Sequence, residues 1–154
     1  MAGRERGTGA SLNQGQVDLI SAALRHVRDA ERLLQESVCL SVDQAWHRAG
    51  FGPECIRKAT LGERWADKAL GHVLTDSKVW DWALALDPWA SRSAPAVWEP
   101  VSGPFREWRP EARYNATGTA TEPDARRLVE AARQAVDDVV TDLWADGRLL
   151  AIPE

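Results

Sequence analysis

At 154 residues the chain is the size of one domain, long enough to bury a core without a disulfide framework or a structural metal. Hydrophobic residues make up 44% and charged residues 27%, with a formal net charge of -4, which excludes a strongly basic nucleic-acid coat and leaves room for a local basic patch. Cys39 and Cys55 form no CxxC pair, no apolar signal segment opens the chain and no run approaches a membrane span, so the expected setting is cytoplasmic.

Residues 1–11 are small and charged and read as a disordered lead. Val17, Ile20, Leu24, Val27, Leu34 and Val38 then recur at three-and-four spacing, the mark of an amphipathic helix. Arg25, Arg28, Asp29 and Arg32 lie off that stripe, and only Glu31 interrupts it. Ser41-Val42-Asp43-Gln44 is a capping-box sequence and opens a second helix running toward Leu61, with Gly62 to close it. Its expected inward residues are Trp46, Ala49, Gly50, Glu54 and Ile56, and Pro53 predicts a kink. A third helix is expected over 63–74 and a fourth from Asp76 or Ser77 to Leu86, although Trp80, Trp82, Leu84 and Leu86 also fit a strand. Five prolines make 88–120 a long irregular connection. Thr121 caps the last helix, whose inward stripe is Leu128, Ala132, Ala135, Val136, Val139 and Leu143; Gly147 ends it and 148–154 form a tail. The expected fold is all-α, an up-and-down bundle of four to five helices spanning 12–147, with the irregular loop before the last helix.

Two separated motifs are more specific. Ala49-Gly50-Phe51 leads into Glu54, with Lys58 four residues on, and Ala112-Arg113-Tyr114-Asn115 stands just before the last helix. In that order, and over about residues 15–146, they resemble HEPN domains, whose second helix carries such a Glu and Lys and whose last helix follows an Arg-Tyr element. Many HEPN domains are metal-independent ribonucleases that use an Arg followed four to six residues later by a His on the last helix, across a dimer interface. Here the only histidines are His26, His47 and His72, so that motif is absent. The imidazole that would move a proton at a 2′-hydroxyl is missing with it. The resemblance therefore implies a catalytically degenerate, homodimeric binding or regulatory module without a cofactor or a membrane. Its partner would be a nucleotide, RNA or a protein such as a nucleotidyltransferase. Candidate ligand-binding residues are Glu54, Arg57, Lys58, Trp108, Arg109, Arg113 and Tyr114.

The residues carry expectations of their own. Gly50 and Gly52, with Ala45 and Ala49, give the second helix a smooth side for close backbone approach, which would suit a dimer built on that helix and the last one. Glu54 sits among apolar neighbours and needs a partner; Arg113 is the expected one, with Tyr114 sealing the pair, as an ion pair or as a ligand site. Asp43, His47 and Glu54 share a helix face and could form a residual active site, with Arg57 or Arg113 binding an anion. The corresponding alternative function is a small-molecule enzyme using an inter-helix groove with His47, Glu54 and Arg113. A metal-binding bundle of the DinB type would need converging ligands, typically a late His-x3-His pair, and this chain has none. Trp98, Phe105, Arg106, Trp108, Arg109, Arg113 and Tyr114 interleave cations with aromatics, which could grip bases and phosphates or lid the core with the arginines solvated.

Overall fold

The structure is a computed structural model that describes residues 11–35, 41–61, 85 and 103–154. Among these residues it is all-helical, with no strand. Three α-helices are present, α1 (Gln14–Leu33), α2 (Val42–Ala59) and α3 (Glu122–Ala145), and a 3-10 helix (Pro110–Tyr114) precedes α3. The helices expected at 63–74 and 76–86, the first part of the irregular connection and the lead before Ser11 lie outside the described residues, Ala85 excepted, which is helical.

Helix α1 starts at a full capping box. Asn13 accepts from the Gln16 backbone N–H, and Gln16 Oε1 accepts from the Asn13 N–H, both at 3.0 Å. The same Gln16 is buried and donates Nε2 to the Ala59 carbonyl at 3.0 Å, tying the start of α1 to the end of α2. The buried stripe is Gln16, Ile20, Ala23, Val27 and Ala30, whereas Val17 and Leu24, expected inward, are only half-buried. Small side chains carry this face because α2 lies close against it. Glu31, the interruption in the expected stripe, has a use: Arg133 of α3 grips it with Nε and Nη2, each at 2.7 Å.

Helix α2 packs along both α1 and α3. Ser41 Oγ caps the Gln44 N–H at 3.2 Å, but no return bond from Gln44 to Ser41 is formed. The helix continues through Pro53 and ends at Ala59, with Thr60 as C-cap. Its second half is buried nearly all round, from Gly52 through Glu54 and from Ile56 to Arg57.

Helix α3 matches its sequence signals. Thr121 caps the Asp124 N–H, and the whole expected stripe from Leu128 to Leu143 is buried. Gly147 ends it at φ +70, where a Schellman pair of bonds closes: Arg148 N–H to the Leu143 carbonyl and Gly147 N–H to the Trp144 carbonyl, both at 3.0 Å. The terminal segment is tied to the bundle at three points. Leu149 is buried, Leu12 N–H donates to the Arg148 carbonyl at 3.3 Å, and Ser21 Oγ donates to the Glu154 carbonyl at 3.0 Å.

A candidate binding cleft beside α2

Residues 103–120 form a strap across α2. Phe105 and Trp108 are both 1% exposed, while Arg106, Arg109 and Arg113 stay on the surface, so the buried aromatics lid the core and the cations remain solvated. The Trp108 indole lies on Gly50: a Cβ at that position would come within 2.1–2.3 Å of three ring atoms. Its Nε1–H donates to the His47 carbonyl at 3.0 Å, and its ring meets Phe51 edge-on at 5.1 Å between centroids. Gly52 is filled the same way, with Val27 Cγ2 of α1 2.5 Å from where its Cβ would be. The space beside both glycines is therefore filled from within the chain.

His47 and His26 both border Phe51, with ring centroids 5.0 and 5.4 Å from it. The Nδ1 atom of each is buried and makes no hydrogen bond. Burial lowers both histidine pKa values, helped at His47 by Arg113 and Arg48 and at His26 by Arg25 and Arg48; at His26, Asp29 and Glu54 pull the other way. At neutral pH both rings are uncharged parts of an aromatic cluster.

The other candidates are also bound into the structure. Both Asp43 carboxylate oxygens accept backbone N–H groups, from Gly118 and Ala120, each at 2.8 Å, which lowers the Asp43 pKa and fastens the loop before α3 to the first turn of α2. Glu54 pairs with Lys58 at 3.1 Å within α2, with the side chains 6% and 11% exposed. Arg113 does not reach it. Among the described residues no ion pair joins them, and the exposed Arg113 guanidinium lies over the Tyr114 ring at 4.8 Å. Tyr114 is 75% exposed and seals nothing. Arg109 braces its own loop, donating Nη1 to the carbonyls of Arg106 and Trp108 at 2.9 and 2.7 Å. Arg57 is buried at the far end of α2. The structure thus brings His47 to Trp108 and Glu54 to Lys58. No hydrogen bond joins Asp43, His47 and Glu54 to one another, and no ion pair joins Arg113 to Glu54.

What does remain open is a cleft of about 650 Å³ where α2, the strap and the start of α3 meet. Trp46, Pro104 and Leu128 give it apolar walls. Its polar rim carries two ion pairs, Arg106–Glu107 at 3.4 Å and Arg127–Asp124, and in the latter Asp124 also accepts the Thr121 hydroxyl at 2.6 Å. Of the residues that line it, the sequence marks Asp43 as a site candidate and Arg106 as a possible grip on phosphates. Trp46 carried a readable signal, an aromatic within the first turns of α2, but Asp124 and Arg127 read as ordinary helix-start charges. Among the described residues no group of His, Cys, Asp and Glu could hold a metal ion, and no helix is long and apolar enough to cross a membrane. Comparison with protein-family models, with curated proteins and with solved structures finds no match, so the chain is assigned to no family.

Proposed function

We propose that the chain is a HEPN-like binding module without catalysis of its own, which seats a nucleotide in the cleft between α2 and the start of α3. One observation carries this: each acidic candidate for proton transfer already has a fixed structural partner, while the cleft is open and of ligand size. A base would stack on Trp46. Its phosphate would draw Arg106 or Arg127 from surface ion pairs, whose side chains are 48–81% exposed and whose exchange costs little. Calorimetry with adenosine and uridine mono- and triphosphates tests it. Trp46→Ala and Arg127→Gln should each weaken binding about tenfold or more, from a lost stack and a lost charge-assisted bond. No binding at millimolar nucleotide, or binding indifferent to both substitutions, overturns it. Single-stranded RNA incubated with the protein should remain intact.

A further inference from the structure

Helix α1 carries five charged residues from Asp18 to Glu31, and a sixth at Arg32, with an unequal division of partners. Each of its carboxylates is engaged: Asp18 with Gln14 Nε2 at 2.8 Å, Asp29 with Arg48 of α2 at 3.4 Å, and Glu31 with Arg133 of α3. Arg25, Arg28 and Arg32 are exposed, and among the described residues none of them forms an ion pair. Spacings of three and four residues align them on one face, about 4.5 and 6 Å apart along the axis. Arg48 sets a fourth guanidinium beside the row.

We infer that this ridge docks the phosphate backbone of a duplex nucleic acid, independently of the cleft. The surroundings select that occupant. A protein partner needs an apolar centre to its interface and a membrane needs an apolar wedge, yet among the described residues the large exposed apolar side chains, Tyr114, Trp144, Leu150 and Ile152, all lie off α1. Binding a single strand relies on aromatic platforms, and α1 offers none there. Guanidiniums in a row with no stacking group are suited to phosphates alone, so the contact is without sequence preference. The acidic balance of the rest of the chain, with its net charge of -4, fixes which face turns toward the polyanion.

Fluorescence anisotropy with a labelled 20-base-pair DNA duplex tests this. Three phosphate contacts predict a slope of about -2.7 in log K against log salt, roughly a 40-fold weakening from 50 to 200 mM. Arg25→Gln/Arg28→Gln/Arg32→Gln should abolish binding, and each single change should lower the slope by about 0.9. All three positions are exposed on a helix, so folding, checked by circular dichroism, should be kept. Arg109→Gln/Arg113→Gln/Arg126→Gln removes the same charge elsewhere and should leave the slope intact. No binding at 50 mM salt, equal loss in both triple variants, or tighter binding to single-stranded DNA or polyglutamate overturns the proposal.

Discussion

Replacing Gly50 by Ala should destabilise the protein, although Ala is the better helix former. In the middle of α2 the exchange gains about 1 kcal/mol of helix propensity. Against that, the new methyl would stand 2.1–2.3 Å from Cε2, Cδ2 and Nε1 of Trp108, rigid ring atoms of a side chain 1% exposed. The indole has to leave its seat, giving up its contact with Phe51 and its bond to the His47 carbonyl. The loss approaches that of removing a buried Trp, about 3–5 kcal/mol. The balance is a destabilisation of about 2–4 kcal/mol, or roughly 4–16 °C in Tm at this size. Urea and thermal denaturation of Gly50→Ala measure it, and the same change in a Trp108→Ala background isolates the contact. There, with the indole gone, Gly50→Ala should be neutral or stabilising by about 1 kcal/mol. A Gly50→Ala protein as stable as the parent, or equally destabilised in both backgrounds, would refute the close approach.

Three further outcomes follow from the same contacts. Glu54→Ala and Lys58→Ala should each cost about 1–3 kcal/mol, because each removes a charge-assisted bond inside a nearly buried pair, and the double variant should cost clearly less than the sum; exposed Arg113→Ala should change chemical denaturation by less than about 0.5 kcal/mol. Stability should fall on acidification: His26 and His47 have folded pKa values below their ordinary 6.5, so the unfolded chain takes up protons first and stability present above 6.5 is lost as pH drops toward the folded values. Asp43, also lowered, adds a second loss below its ordinary 3.8, and a pH series of urea midpoints with and without His47→Gln should show a shallower first step in the variant. If the homodimer implied by the HEPN resemblance forms on the exposed apolar pair Trp144 and Leu150, light scattering should give a dimer that Trp144→Glu/Leu150→Glu converts to monomer; a monomeric parent at micromolar concentration removes the dimer.

How far the sequence could be read depended on the range of each signal. Helix α3 was legible from cap to stop because its cues are local: a Thr before an acidic first turn, a three-and-four apolar stripe and Gly147. Helix α1 was legible as a helix, but its buried face was rotated toward Ala23 and Ala30, since hydrophobicity favours Val17 and Leu24 while a neighbouring helix at close range favours small side chains. Glu54 was rightly read as a buried acid in need of a cation. The cation chosen lay across the fold, when the i,i+4 rule placed Lys58 within reach on the same helix. The anchoring of residues 118–120 by Asp43 has no local trace at all, because it joins groups about 75 positions apart.

The glycines of α2 show the limit most clearly. Gly50 and Gly52 correctly announced that something comes close to that helix, since a missing Cβ is a vacancy that a sequence displays directly. What fills a vacancy depends on the rest of the fold. A second copy of the helix was one occupant; the structure instead seats Val27 of α1 on Gly52 and the Trp108 indole on Gly50. The same insertion explains why the interleaved strap residues divide as they do. Once Trp108 is committed to α2, the strap turns Phe105 inward with it and leaves Arg106, Arg109 and Arg113 to water. Between that strap and α3 the chain then leaves Trp46 only half covered, at the wall of the cleft where the proposed nucleotide would stack.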